Sequence, residues 1–360
     1  MMGYQQRRAI DSREAVAGGK KPLRRPIGSM RASQFGQGSS PSIASDTLLI
    51  DRILFFHCKM TSPFVAVAGA AGGLGQLVAL ALAKRGVAVK ALVRPNTDSS
   101  RTEKLRNAGV TITPIDLFAI PALTKELTRA ICVVSTLQGL RDVIHTAQGK
   151  LLEASVAAKV PKFIPSDFSL DFTKTKVGSN RNLDLRREFH ATLKKSGIAW
   201  TSILNGGFMD LMVGDSPMVN HKGRKVAYIG STTQLLDFTT MVDTAAYTAA
   251  VAADPNPTPN FLRIASDTVN IQDIAQAQTN VEGVRYKPNW IGTVGSMEFM
   301  IRVMRFFGGE NDVFPAWQGM QYMANMFSGA GKLDPIDNDR YPDVQWTKVE
   351  VFFRENKHKK

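Results

Sequence analysis

From residue 64 onward, short apolar runs alternate with segments of helical periodicity. Residues 64–68 (Phe-Val-Ala-Val-Ala) form an apolar run of strand length. After Gly69-Ala-Ala-Gly72-Gly73-Leu74-Gly75, apolar residues recur at Leu74, Leu77, Val78, Ala81 and Leu82, the i, i+3, i+4 spacing of a helix. Lys84-Arg85-Gly86 ends that helix, with cations in its last turn and glycine at the C′ position. A second strand at 88–93 completes a βαβ unit of about 30 residues. The alternation continues with helix 102–108, strand 110–113, helix 119–128, strand 130–134, helix 143–158, strand 161–165, helix 183–196 and strand 200–204. It predicts an α/β fold, a doubly wound parallel sheet.

From Met209 the pattern loosens. Strands are expected at 225–229 and 261–265, and helices at 240–253, 271–281 and 294–307. Aromatic residues and methionines cluster between Phe306 and Phe327, as a core and as the roof of an apolar pocket. The four divisions are 1–59, 60–208 for the sheet, 209–335 for the substrate lobe and 336–360 as a tail. Residues 1–59 are basic, rich in Gly and Ser, and too poor in apolar side chains to offset their ordering entropy, so disorder is expected. Three readings of that segment stand open: an extension upstream of a start at Met60, a mitochondrial transit peptide, and a functional basic tail. The compartment follows from the choice, cytoplasmic unless the segment is a transit peptide.

Composition adds exclusions. The chain has 360 residues, 44% hydrophobic and 21% charged, an ordinary globular balance. A net charge of +14 suggests a polyanionic partner, yet ten Lys or Arg against four Asp or Glu in residues 1–59 supply +6 of it. No basic stripe is interleaved with aromatics, so no nucleic acid is expected. No apolar stretch reaches the 18 or so residues of a membrane helix, so no membrane partner is expected. Cys58 and Cys132 cannot make a disulfide framework, and the five histidines lack metal-ligand spacing, so no metal is expected.

The glycine-rich loop carries the chemistry. A side chain there would hold the backbone away from a pyrophosphate, whose charge is best met by free N–H groups at a helix N-terminus. Gly69, Gly72, Gly73, Leu74 and Gly75 are therefore the expected dinucleotide contacts, in a Gly-x-x-Gly-x-x-Gly variant of the common fingerprint. The second strand ends Leu92-Val93-Arg94-Pro95, with no carboxylate for a ribose hydroxyl. Arg94 instead offers a planar fork suited to a 2′-phosphate, which selects NADP. Arg101 and Lys104 read as a solvated helix face. Ligands of open parallel sheets sit at the carboxyl ends of strands, which places Ser135, Thr136, Ser166 and Asn205 on the cofactor as well.

Together these residues resemble the NmrA-like family, close to the isoflavone reductase-like enzymes among the atypical short-chain dehydrogenase/reductases. The resemblance rests on Gly69-x-x-Gly72-x-x-Gly75, Val93-Arg94-Pro95, Phe163-Ile-Pro165-Ser166-Asp167-Phe168, Gly197-Ile198-Ala-Trp200-Thr201 and Asn205-Gly-Gly-Phe208. It implies NADP(H) bound by the amino-terminal sheet and a small-molecule substrate in the carboxyl-terminal lobe, beside Phe168, Phe208 and Met209. The superfamily's Tyr-x-x-x-Lys pair is missing, since none of the six tyrosines has lysine four residues later. Isoflavone reductase-like enzymes carry a lysine on the helix before the Gly-Ile segment, and Arg186 holds that place here, with Arg187 beside it. Arginine stays protonated, so it can polarise a carbonyl but is a poor proton donor. His190, one turn on, is the first alternative source of a proton, and Lys174 and Lys176 follow. Two functions remain. One is an NADP(H)-dependent oxidoreductase reducing a carbonyl, enone or quinone of a small, largely apolar molecule. The other is a non-catalytic NADP-sensing regulator with a protein partner. The apolar lobe favours the first and Arg186 the second.

Overall fold

The computed structural model describes residues 62–358, so the readings of residues 1–59 and of a start at Met60 lie outside them. Strands β1 (Phe64–Ala68), β2 (Val89–Val93), β3 (Thr111–Pro114), β4 (Ala130–Ser135), β5 (Lys162–Ile164) and β6 (Ala199–Trp200) form one six-stranded sheet. Its order is β3-β2-β1-β4-β5-β6 and every pairing is parallel. The order reverses between β1 and β4, which opens a crevice beyond their carboxyl ends. Both faces are covered, which is why the strands read as unbroken apolar runs. Val65 and Val67 pack with Val78, Ala79 and Leu82 of helix α1 (Gly73–Lys84). Ala66 and Ala68 face the other way, toward Leu123, Leu127, Leu151 and Leu152.

Helices α2 (Glu103–Asn107), α3 (Ile120–Leu127), α4 (Gln148–Ala157) and α5 (Arg181–Lys195) link these strands. The apolar run 200–204 is divided at Thr201. β6 stays on the main sheet, while β7 (Ser202–Leu204) pairs with a later strand. Thr201 makes the break, its N–H donating to the Phe163 carbonyl at 3.1 Å and its hydroxyl meeting that of Thr258 at 2.6 Å.

The rest of the chain adds β8 (Gly207–Phe208), β9 (Val219–Asn220), β10 (Lys225–Tyr228), β11 (Leu236–Thr239), α6 (Met241–Ala253), β12 (Phe261–Arg263), β13 (Asp267–Val269), α7 (Ile271–Glu282), β14 (Lys287–Trp290), α8 (Val294–Phe306), α9 (Ala316–Phe327) and α10 (Val349–Glu355). β7 pairs with β12 in parallel. α6 starts at Thr240, whose hydroxyl accepts from the Asp243 N–H. This helix packs along α1 and adds Ala245, Tyr247 and Ala249 to the first core. A second core gathers Val226, Phe238, Ile274, Ile301, Phe327 and Phe352. Within the segment set apart as a tail, α10 buries Val349, Phe352 and Phe353, an i, i+3, i+4 set, against α7. No helix among the described residues is long and apolar enough to cross a membrane.

Cys132 lies on β4 with no exposed surface, and burial pushes its thiol up to about 12. The reactive thiolate is therefore scarce near neutral pH. Native protein treated with iodoacetamide at neutral pH is expected to leave Cys132 unmodified in peptide mass mapping. Modification at the rate of a free thiol would place β4 outside the core.

Candidate active site

The loop between β1 and α1 assigns each glycine a separate task. Gly69 has φ +81°, the left-handed region that turns the chain out of β1. The Gly72 N–H donates to the Gly69 carbonyl at 2.9 Å and closes the turn. At Gly75 a Cβ would stand 2.4 Å from both the Gly69 oxygen and Thr136 Oγ1, so only glycine lets α1 lie this close to the strand ends. Gly73 is exposed, and the nearest heavy atom to a Cβ there is Met241 Sδ at 3.9 Å. Leu74 is half-buried on the first core. α1 begins with neither a side-chain cap nor an acidic residue in its first turn, leaving the positive end of the helix for an anion.

Cations border this loop. Arg94 is exposed, its carbonyl accepts from the Thr97 N–H at 2.9 Å, and its guanidinium has no hydrogen bond or ion pair among the described residues. Arg101 is exposed, as expected of a solvated face, yet its guanidinium is engaged as well. Asp98 caps a short 3₁₀ turn, Ser99–Thr102, which brings Arg101 back so that its guanidinium donates to the Ala71 carbonyl at 2.9 Å. Gln76 holds it from the other side, Nε2 donating to the Arg101 carbonyl at 3.0 Å. The positive charge is thus fixed at the glycine loop, through contacts that residue spacing along the chain does not reveal.

The strand ends hold two kinds of polar group. Thr136 is a fastener, with its N–H and Oγ1 both donating to the Ala68 carbonyl, at 3.0 and 2.7 Å. Ser166 ties β5 to β4, its hydroxyl donating to the Leu137 carbonyl at 2.7 Å and its N–H to Gln148 Oε1 at 2.9 Å. Ser135 and Asn205 differ. Both are fully buried, and neither the Ser135 hydroxyl nor either atom of the Asn205 amide has a partner. Buried polar groups are nearly always satisfied, so orphans at strand ends fit a polar ligand.

Arg186 and His190 meet at Asp167, which stands in the motif Phe163–Phe168 but carries no role assigned from the sequence. The Arg186 Nε donates to the Asp167 carbonyl at 3.0 Å and its Nη1 to the Asn182 carbonyl at 2.8 Å. The Asp167 carboxylate faces the opposite way. Its Oδ2 lies 2.6 Å from His190 Nε2 and accepts from the Ser202 hydroxyl at 2.6 Å. His190 is 5% exposed, with the rings of Phe172, Trp200 and Phe261 at 5.2, 4.8 and 5.4 Å. The structure therefore leaves Arg186 half-buried and encloses His190 in the interior. Lys174 is held by the carbonyls of Lys332 and Asp334, at 3.3 and 2.9 Å. Of the three apolar residues assigned to substrate, Phe168 and Met209 are buried in the two cores, and Phe208 keeps part of its surface.

α9 docks at the start of α5 through polar side chains. Gln318 Nε2 donates to Asn180 Oδ1 at 2.8 Å, Gln321 Oε1 accepts from the Arg181 N–H at 3.1 Å, and Asn325 Nδ2 donates to Ser179 Oγ at 3.2 Å. Tyr322 shares that face. Its ring packs on the cluster of Leu170, Leu183 and Leu204.

A glycine cradle, paired cations and orphaned strand-end groups accompany a match to the NmrA-like family over residues 61–339. The chain belongs to the NmrA-like family. Among the relatives of this NmrA-like chain, the phenylcoumaran benzylic ether reductase TP7 of Nicotiana tabacum is 29% identical over 203 residues, 53% of this chain and 65% of the tobacco protein. The aligned stretch spans less than two thirds of that relative. The solved binary complex of leucoanthocyanidin reductase with NADPH from Vitis vinifera superposes with a TM-score of 0.68 at 20% identity, covering 81% of this chain and 98% of that one. An NADPH-dependent quinone oxidoreductase from Escherichia coli gives 0.63 at 18%, covering 81% and 99%. At such identities the likeness is one of fold.

Proposed function

We propose that this NmrA-like chain is an NADP(H)-dependent oxidoreductase that reduces a carbonyl, enone or quinone of a small, largely apolar molecule. The observation that carries this reading is the uncapped start of α1, opened by Gly72 and Gly73 and bordered by Arg94 and Arg101. The amides of Gly72, Gly73 and Leu74 suit a pyrophosphate, and the two guanidiniums suit a 2′-phosphate. Ser135 and Asn205 offer unpaired groups to the nicotinamide half. When bound, NADPH supplies the hydride. Arg186 polarises the acceptor oxygen, and its orientation is set by the Asp167 carbonyl. Phe208 presents the apolar surface left open at the strand mouth. The division into a cofactor half, 60–208, and a substrate lobe, 209–335, belongs to the same proposal. A regulator that senses NADP without turnover draws only on arginine standing at position 186, and the relatives named as reductases weigh against it.

Arg101→Ala is expected to weaken NADPH binding about tenfold, the scale of one charge-assisted hydrogen bond, while NADH binding stays unchanged. Fluorescence titration of both cofactors against both proteins measures this. Wild-type protein that binds NADH as tightly as NADPH would remove the 2′-phosphate assignment. NADPH oxidation, followed by its absorbance over a panel of quinones, enones and aldehydes, tests the reaction class. Binding without turnover on every acceptor would favour the regulator.

A further inference from the structure

α8 turns one face inward and leaves the other bare. Met297 and Ile301 are buried in the second core, together with Ala324 and Phe327 of α9. The opposite line reads Gly295, Phe299, Arg302 and Phe306, spaced 4, 3 and 4 residues apart, which is the seam of a helix that pairs with another. Phe299 is 66% and Phe306 87% exposed, and Met300 and Phe307 lie open beside them. Scattered apolar residues are ordinary on a surface, but a stripe along one helix face marks an interaction site.

The charges on this face fit a reversed copy of itself. Glu298 and Arg302 are exposed, and neither side chain has a hydrogen bond or ion pair among the described residues. Two α8 helices packed antiparallel, with the two-fold axis between Met300 and Ile301, set Arg302 across from Phe299 of the second copy. A guanidinium over a ring is a favourable contact. Phe306 falls across from Gly295 of the second copy, where there is room for a ring, since the nearest heavy atom to a Cβ there is Thr293 Oγ1 at 3.9 Å. Glu298 stands beside the second copy's Arg302, and the axis makes that pair twice. Exposed apolar groups also mark both ends, Trp290 and Ile291 ahead of the first turn and Phe307 after the last, and reversal sets one end against the other. Aromatic side chains bury about 150–250 Å² each, so Phe299, Phe306, Phe307 and Trp290 supply most of the roughly 800 Å² per partner that a stable dimer needs.

We propose that the outer face of α8 is the contact of a symmetric dimer, in which two copies of this chain pack α8 against α8 in opposite directions. The same patch serves both copies, so the contact closes on itself and does not propagate into a filament. The aromatic side chains supply the buried area, while Glu298 and Arg302 fix direction and register, since a parallel pairing would set like charges together. The inference is independent of the reductase reading, because neither the glycine loop nor Arg186 takes part in it.

Sedimentation equilibrium of the full chain over a concentration series tests this. The wild-type mass is expected to rise to that of two chains. Phe306→Glu is expected to raise the dimer dissociation constant by about 30-fold, the scale of an interface hot spot, with the far-ultraviolet spectrum of the monomer unchanged because the side chain is exposed. Glu298→Arg and Arg302→Glu are each expected to weaken association by about tenfold, and the two together to restore it, an outcome that damage to the fold would not give. A wild-type mass of one chain throughout overturns the proposal, and it does so equally if the protein then co-sediments with phosphatidylserine vesicles through this face. A dimer that Phe306→Glu leaves intact overturns it as well, as does a double charge reversal no stronger in association than the single ones.

Discussion

Asp167→Ala is expected to lower the unfolding free energy by about 2–6 kcal/mol, since two buried polar groups each lose their acceptor at about 1–3 kcal/mol apiece. Asp167 is 1% exposed and its Oδ2 serves both His190 and Ser202 at 2.6 Å. Alanine would leave a buried imidazole and a buried hydroxyl without an acceptor, inside a cage of aromatic rings that admits little water. The damage extends to the site, because the Asp167 carbonyl holds the Arg186 Nε. Urea denaturation of the full chain measures the loss. Ser202→Ala supplies the comparison, since it removes a single hydroxyl and is expected to cost only about 1 kcal/mol. A loss no larger in Asp167→Ala than in Ser202→Ala would show that His190 does not depend on the carboxylate.

The second large effect is at Gly75. A methyl there would stand 2.4 Å from the Gly69 oxygen and from Thr136 Oγ1, and one of those atoms is backbone fixed by the turn. α1 must move away from the strand ends, and overpacking of this kind costs about 1–3 kcal/mol. Because the displaced segment carries the proposed pyrophosphate amides, NADPH affinity is expected to fall by at least about tenfold, as each 1.4 kcal/mol is a factor of ten. Gly73→Ala separates the two consequences. Its nearest neighbour would be 3.9 Å away, so the unfolding midpoint should not change, whereas a methyl on the open side of the loop should still hinder a phosphate. Thermal unfolding and fluorescence titration of both variants check this. Equal behaviour in the two assays would contradict distinct tasks for these glycines.

The main sheet was legible because parallel strands buried on both faces carry continuous apolar runs, such as Phe64–Ala68 and Ala130–Ser135. The glycine loop was legible because its spacing is local. β8, β9, β13 and β14 left no comparable mark. They are two to four residues long, too short to show alternation, and β14 reads Lys-Pro-Asn-Trp. α9 escaped for a different reason, since much of its buried face is Gln318, Gln321 and Asn325, where an apolar stripe would be sought. The site divides along the same line. Arg94 is nominated by its place at a strand end, whereas the contact of Arg101 with Ala71 and the Asp167–His190 pair 23 residues apart are tertiary facts.

The seat of α6 bears on how such proteins can be recombined. This helix begins 32 residues after Met209, yet it covers α1, the helix whose first turn is proposed to meet the dinucleotide. A chimaera joined at 208 would therefore graft a foreign α6 onto a native α1, with Ala245, Tyr247 and Ala249 exchanged out of a shared core. Swapping acceptor preference between relatives while keeping coenzyme affinity calls for two crossover points, so that 240–265 travels with the sheet it shields.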